Sequence, residues 1–203
     1  MLPYYFVLAD DRGQEIIERV VKRYQSMKSY QDVGTATAPR KDHPPFNFTR
    51  QFTTTYTSPS LFKQEWVQTQ EKGLCRGTTQ GAIWADGKRY FRFSQCGSYG
   101  FQESGDYESF VGLLGNLGAI NQHHIYHLLF LEGQPRLLQD RSGKYSATLV
   151  GEESVETRKA YVVLVQHDYV GNNRVKYWIE NNSYLILKYE APAIGGGVST
   201  IEL

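Results

Sequence analysis

Residues 175 to 190, VKYWIENNSYLILKYE, contain two short apolar and aromatic runs on either side of a pair of asparagines. Alternating side chains of this kind are typical of β-strands and asparagines are typical of turns, so the stretch is predicted to form a β-hairpin. A two-residue loop would mix charged and apolar side chains on each face. A three-residue loop, with an asparagine in the left-handed conformation, gives one wholly apolar inward face. That face is Val175, Tyr177, Ile179, Leu185, Leu187 and Tyr189.

The rest of the sequence contains helical patterns at two places and strand patterns elsewhere. Residues 14 to 27 carry apolar side chains at helical spacing, and Asp11 is the expected N-cap. Five strand patterns follow between residues 29 and 95, with a turn at Asp86-Gly87. One or two further helices, over 104 to 120 and over 122 to 131, precede four or five more strands. This order predicts an α+β fold, with helices on one face of a large antiparallel sheet, in one domain over residues 1 to 203.

The composition excludes several classes of function. The 203 residues carry a formal charge of +1, from 22 basic and 21 acidic side chains, so there is no electrostatic case for a nucleic acid partner. No run of roughly twenty apolar residues is present, so we expect no membrane span. Aromatic residues make up 14% of the chain, with 15 tyrosines and 10 phenylalanines, and this favours strands and concave binding surfaces.

The first nine residues, MLPYYFVLA, form an apolar stretch that ends just before two acidic residues. They are interpreted either as the remnant of a secretory signal with cleavage after Ala9, or as an apolar N-terminal arm.

Two further patterns concern the first group of strands. Phe46, Phe48, Phe52 and Tyr56 share one parity, so one face of that strand is aromatic, and Arg50 falls on the same side. Cys75 and Cys96 bracket the hairpin that turns at residues 86 and 87. Counted from that turn, Cys96 lies opposite Gly77, so Cys75 lies two residues away on the same face. The two cysteines could form a disulfide if the backbone shifted locally, or they could remain free thiols.

The hairpin sequence resembles the LolA/LppX-like superfamily of periplasmic lipoprotein-carrier folds. The resemblance rests on Tyr177 to Glu180, Ser183, Leu185 to Lys188 and Glu190, preceded by YVVLVQ at residues 161 to 166. The stretch YQSMKSYQDVGTA, residues 24 to 36, resembles the opening of that family. The resemblance implies a strongly curved antiparallel half-barrel of about 9 to 11 strands, with helices as a lid on its concave face.

The resemblance also implies a function. We expect a periplasmic or secreted carrier, without cofactor or catalysis, that holds a lipid, a lipoprotein acyl chain or another hydrophobic ligand between half-barrel and lid. Arg50 is similar to the inward arginine with which some carriers hold the lid. The alternatives are a sensor or interaction module of an envelope pathway that uses the same groove, and a cofactor-free enzyme. The expected ligand-binding residues are Phe46, Phe48, Arg50, Phe52, Tyr56, Leu114, Leu117, Tyr177, Ile179 and Leu187.

Metal and nucleotide sites are not expected. His123 and His127 have the one-turn spacing of zinc proteases and His124 lies between them, but the Glu of the His-Glu-x-x-His motif is absent. Gly112, Gly115 and Gly118 do not have the spacing of a dinucleotide-binding loop.

Overall fold

The computed structural model describes residues 11–38, 48–58, 60–70, 75–96, 100–106, 125, 128–129, 145–167, 174–192 and 197–203. Residues 1 to 9, Phe46, most of the two predicted lid helices and the histidine cluster lie outside this part of the chain.

The first element, helix α1 (Asp11–Gln25), is the amphipathic helix that the sequence predicts, displaced by two to three residues toward the N-terminus. Its apolar stripe, including Ile16, Ile17, Val20 and Tyr24, is buried. Lys22 and Arg23 occupy the last turn, where positive charge interacts favourably with the helix dipole. The amide of Met27 donates to the carbonyl of Tyr24 over 3.1 Å as the helix ends.

Eleven strands follow within the described part of the chain, and one of them, β6, had no counterpart in the sequence patterns. The strands are β1 (Ser29–Ala38), β2 (Phe48–Thr57), β3 (Leu61–Gln70), β4 (Gly77–Asp86), β5 (Tyr90–Ser94), β6 (Phe101–Ser104), β7 (Tyr145–Val155), β8 (Arg158–His167), β9 (Arg174–Glu180), β10 (Ile186–Pro192) and β11 (Val198–Glu202).

All eleven strands form a single antiparallel sheet in the order β6-β5-β4-β3-β2-β1-β11-β10-β9-β8-β7. Two runs of neighbouring hairpins therefore meet where β1 pairs with β11. The described pairings leave β6 and β7 as the two edges, so the sheet is not closed into a barrel. This arrangement is consistent with a curved half-barrel.

Helix α1 lies on the β7 side of the sheet. Gln14 donates a 2.7 Å hydrogen bond to the hydroxyl of Tyr145. An added Cβ at Gly13 would lie only 2.6 Å from the backbone of Ala147, so the helix approaches β7 as closely as a glycine permits. Of the region predicted to form the lid, Ile125, Leu128 and Leu129 are described, and they are helical and buried.

The sheet has an inner face and an outer face, which form separate apolar clusters. The inner face carries the main cluster, including Phe52, Trp66, Ile83 and Tyr177 together with the stripe of α1. The outer face carries a small second cluster of Ala160, Val162, Trp178 and Leu187.

The β9–β10 hairpin differs from the predicted register. A three-residue loop at residues 181 to 183 would pair Tyr177 with Leu187. The structure pairs Tyr177 with Tyr189, and the register shifts between Ile186 and Lys188. This bulge puts Leu187 on the outer face, so the prediction that Leu187 faces inward is wrong. Tyr177, Ile179 and Tyr189 do face inward.

The loop of this hairpin is longer than predicted. The amide of Glu180 donates to the carbonyl of Leu185 over 2.8 Å, which closes a loop of residues 181 to 184. Tyr184, and not an asparagine, adopts the left-handed conformation, with φ of 57°. Its ring is held by Arg19 of α1, whose Nη1 donates to the tyrosine hydroxyl over 2.7 Å.

The β4–β5 hairpin turns at Gly87 and Lys88, one residue later than predicted. The amide of Asp86 donates to the carbonyl of Arg89 over 3.2 Å, and Gly87 has φ of 91°. The strand pairing ends at Gly81 and Ser94, and just beyond it the amide of Gln95 donates to the carbonyl of Gln80 over 2.9 Å. The structure joins Cys75 and Cys96 as a disulfide, with their Cα atoms 5.2 Å apart, a distance that suits such a bridge.

Candidate functional site

The inner face of the sheet brings most of the predicted ligand-binding residues together. Phe52, Tyr56, Tyr177 and Ile179 belong to its buried cluster, and Phe48 packs against that cluster. Arg50 has the same parity and is only 3% exposed. Phe46, Leu114 and Leu117 lie outside the described residues, and Leu187 belongs to the outer face.

A row of four residues across β1 to β4 forms the centre of this face. Gly34 pairs with Phe52, Phe52 with Trp66, and Trp66 with Gly81. A Cβ added at Gly34 would lie 2.3 Å from the ring of Phe52, and a Cβ added at Gly81 would lie 2.2 Å from the ring of Trp66. The two large rings therefore cover the two glycines, and the absence of side chains at positions 34 and 81 leaves room for the rings to lie against the neighbouring strands.

Arg50 lies at one end of this surface in a polar cluster. Its Nε and Nη2 both donate to Oε1 of Gln68, over 3.1 and 2.6 Å. The guanidinium also lies 5.4 Å from the ring centroid of Phe48 and 5.0 Å from that of Trp66. Nε2 of Gln68 donates onward to Oε1 of Gln70 over 3.2 Å. We refer to Arg50, Gln68 and Gln70 as the Arg50 cluster.

Strand β3 supplies the amide side chains of this face, which the sequence patterns did not predict. Its residues alternate strictly, and the buried set is Phe62, Gln64, Trp66, Gln68 and Gln70. Gln64 donates to Thr54 across the strand pair over 3.0 Å. Counting the register outward from a turn centred on position 59 of the sequence would have placed Gln68 opposite Arg50, as the structure does.

A second polar group, also missed, lies on the inner face beside α1. The hydroxyl of Tyr30 donates to Oδ2 of Asp32 over 2.6 Å. Burial raises the pKa of Asp32, and the hydrogen bonds from Tyr30 and Thr54 oppose this shift without cancelling it. A carboxyl group in this position retains its proton to higher pH than an exposed one.

Tyrosines surround this carboxyl group. The hydroxyl of Tyr24 accepts the amide hydrogen of Ile186 over 3.2 Å, and the rings of Tyr24 and Tyr30 are 5.5 Å apart. Burial raises the pKa of Tyr24, Tyr30 and Tyr189 far above the ordinary tyrosine value. These hydroxyls therefore stay protonated throughout the physiological range and serve as neutral hydrogen-bonding groups.

The outer face carries an aromatic patch near edge strand β6. Trp84 and Phe91 stack with their centroids 5.1 Å apart, and Phe101 lies 6.0 Å from Trp84. Phe101 pairs with Phe93 across the strands, and their side chains are 58% and 39% exposed. We refer to Trp84, Phe91, Phe93 and Phe101 as the β6 patch.

Within the described ranges there is no group of three or more His, Cys, Asp or Glu side chains that could hold a metal ion. No helix among the described residues is both long enough and apolar enough to cross a membrane.

Comparisons with solved structures identify the fold. LprF from Mycobacterium bovis is 11% identical and has a TM-score of 0.53, with 96% of this chain and 92% of LprF covered. The LolA superfamily protein NE2245 from Nitrosomonas europaea is 16% identical over 94% of this chain and 90% of its own, but its TM-score of 0.33 supports no argument by itself. The match to LprF shows that the two chains share a fold, and the resemblance seen in the sequence is confirmed at that level alone.

A third neighbour is much longer than this chain. The Pseudomonas aeruginosa MucA/MucB complex matches with 17% identity and a TM-score of 0.48, covering 94% of this chain and 55% of the matched chain. The chain thus spans little more than half the length of that neighbour. No protein-family model matches the chain, and no curated protein sequence matches it.

Proposed function

We propose that the protein binds a lipid, a lipoprotein acyl chain or a similar hydrophobic ligand on the inner face of the sheet. The observation that supports this most directly is the continuous aromatic surface of Phe52, Trp66 and their neighbours, with the Arg50 cluster at its end. A surface made only to fill a core does not need buried arginine and glutamine side chains beside its aromatic rings.

Binding would depend on burial. Each methylene group moved from water to this surface contributes on the order of 0.8 kcal/mol. The inner face is already buried, with Ile125, Leu128 and Leu129 in the same cluster. A ligand on this face would therefore replace contacts between these three helical residues and the sheet. Its entry would require the three residues to move away from the sheet.

The proposed setting is the periplasm or another exported compartment, and the proposed role is carriage without catalysis. The fold shared with LprF agrees with the fold that the sequence resemblance implies, and the carrier role proposed here follows from that resemblance. A disulfide between Cys75 and Cys96 suits an oxidising compartment.

Nile red, a neutral hydrophobic fluorophore, tests the proposal directly. We expect saturable binding to the wild-type protein and weaker binding to Trp66→Leu, because Trp66 covers the centre of the inner face and is only 4% exposed. Val67→Ala is the matched control, since its side chain is adjacent in sequence, lies on the outer face and is 41% exposed. Circular dichroism would establish that each variant is folded.

The β6 patch favours a second candidate, an interaction module that contacts another protein. Exposed aromatic side chains that lie together outside a ligand groove are typical of protein contact sites. Phe93→Ser with Phe101→Ser would abolish such an interaction and leave Nile red binding unchanged. Loss of Nile red binding in this folded double variant would argue against two separate sites.

A further inference from the structure

The carboxyl group of Asp32 has one oxygen atom without a hydrogen-bond partner on the inner face. Its Oδ2 accepts a hydrogen bond from the hydroxyl of Tyr30 over 2.6 Å. Thr54, directly opposite on β2, also stabilises the carboxylate, but no donor among the described residues is in hydrogen-bonding geometry with Oδ1, which is buried. Buried oxygens of this kind are rare in folded proteins, because the atom has lost its contact with water and gained no other donor. Oδ1 is therefore an acceptor that a bound ligand can satisfy.

Asp32 lies in the row of cross-strand pairs next to the aromatic row of the inner face. It pairs with Thr54 on β2, which in turn pairs with Gln64 on β3. Phe52 and Trp66 belong to the next row on the same face, about 7 Å away, because side chains on one face of a strand are two residues apart. A hydrocarbon chain that lies on these two rings therefore brings its headgroup within reach of Oδ1.

The surroundings of Asp32 determine which headgroup fits. Burial has the largest effect on the pKa of Asp32, followed by the hydrogen bonds from Tyr30 and Thr54, and no basic side chain of the described residues contributes. Above its pKa the carboxylate accepts hydrogen bonds and donates none. An ammonium or a hydroxyl group complements such an oxygen, whereas a headgroup without a donor leaves it unsatisfied.

The orientation of this carboxyl group is fixed before any ligand binds. Tyr30 holds Oδ2, and the ring of Tyr30 packs against that of Tyr24, with 5.5 Å between their centroids. The hydroxyl of Tyr24 accepts the amide hydrogen of Ile186 over 3.2 Å, which holds this ring between α1 and β10. A pre-oriented acceptor loses less entropy on binding a donor than a mobile one would.

We propose that the ligand of the inner face carries a hydrogen-bond donor, an ammonium or a hydroxyl group, that binds Oδ1 of Asp32 while its hydrocarbon chain lies on the Phe52 and Trp66 rings. This inference rests on the function proposed above and narrows it to one class of ligand, amphiphiles with a donor headgroup. The carboxylate supplies selectivity for the headgroup, and the aromatic surface supplies most of the affinity.

Displacement of Nile red by three amphiphiles of equal chain length tests the inference. At about pH 8 dodecylamine carries an ammonium group, dodecanol carries a hydroxyl group, and dodecyl methyl ether has an oxygen but no donor. We expect at least one of the two donors to bind about 10- to 100-fold more tightly than the ether, as a hydrogen bond to a charged group provides. The tighter of the two identifies the headgroup as an ammonium or a hydroxyl.

The Asp32→Asn variant assigns this preference to Oδ1. Asparagine has the same shape, and its amide oxygen accepts from Tyr30, so the atom that faces the ligand becomes an amide nitrogen, which donates and does not accept. The preference for a donor headgroup should disappear, while the affinity for the ether should change by less than about threefold. Glu65→Gln is the matched control, since it removes the same charge from the outer face, where Glu65 is paired with Lys63 over 2.9 Å. An equal loss in both variants would overturn the assignment to Asp32.

The outcomes separate this inference from the proposed function. If the three amphiphiles displace Nile red equally well from the wild-type protein, the donor headgroup is excluded and the binding function stands. If Nile red does not bind and no amphiphile binds, the proposed function fails, and the inference with it. The wild-type comparison decides the matter even if Asp32→Asn does not fold.

Discussion

The ring of Phe52 on β2 lies directly over Gly34 on β1, so close that a Cβ at position 34 would be 2.3 Å from the phenyl Cζ atom. The same relationship recurs two strands away, between Trp66 and Gly81. Each aromatic ring needs a glycine as its neighbour, so the centre of the aromatic surface depends on all four residues.

Gly34→Ala should destabilise the protein by about 1–3 kcal/mol, because the new methyl group meets Phe52 and the backbone oxygen of Glu202. Urea unfolding measures the change. Gly105→Ala is the control, since a Cβ there meets nothing within 4 Å. Phe52→Leu should recover part of the loss in the double variant. An unchanged stability in Gly34→Ala would contradict the close contact.

Asp32→Asn should make the protein more stable than the wild type at neutral pH. Burial raises the pKa of Asp32 above its ordinary value of 3.8, so the folded state holds this proton more tightly than the unfolded state. The corresponding stability is fully present below about pH 4 and is lost as the pH rises through the raised pKa. Asparagine has no proton to lose and can still accept the hydrogen bond from Tyr30.

The measurement is urea unfolding of wild type and Asp32→Asn at a series of pH values from about 3 to 8. The difference between the two proteins should be small at the acidic end and should grow toward neutral pH. This comparison cancels groups that titrate in both proteins, such as Glu153, whose pKa is lowered mainly by a hydrogen bond from Trp178. A difference independent of pH would show that Asp32 is not the responsible group.

Leu187→Ala should lower stability by about 2–4 kcal/mol without affecting ligand binding. Leu187 is buried, but it lies with Trp178 in the cluster of the outer face. Ile179→Ala provides the matched comparison on the inner face of the same hairpin and should weaken Nile red binding as well as lower stability. Equal loss of Nile red affinity in both variants would contradict the two-sided arrangement.

Reduction of the disulfide between Cys75 and Cys96 should lower stability by about 3 kcal/mol, because the bridge closes a loop over a sequence separation of 21 residues. Unfolding in the presence and absence of a phosphine reductant measures this effect. Cys75→Ser with Cys96→Ser should behave like the reduced protein. Alkylation of both thiols in the untreated, unfolded protein would show that the bridge does not form.

Most of the strands could be predicted from the sequence because their side chains alternate with a period of two. β1 begins at Ser29, where the first of the predicted strand patterns begins. Arg50 faces the aromatic side, as predicted, because parity along one strand needs no long-range information. β6, at four residues, is too short for its alternation to be recognised.

The errors arose where one extra residue changes the outcome. The bulge near Leu187 reverses the face of a single side chain, and no feature of the apolar run SYLILKYE marks its position. Asp32 was not predicted to lie on the inner face for a different reason, which is that a carboxylate in a strand is usually exposed. Asp32 has the same parity as Tyr30 and Gly34, which would have placed it on the inner face. Its burial there also depends on Tyr24 and Tyr189, which are distant in the sequence.

Native mass spectrometry of the protein purified without detergent tests the central claim, that the inner face holds a hydrophobic ligand. The account predicts a population with the additional mass of one lipid-like molecule, extractable into organic solvent and depleted in Trp66→Leu but not in Val67→Ala. A protein that shows only the mass of the polypeptide, yields no extractable lipid and does not bind Nile red would contradict it.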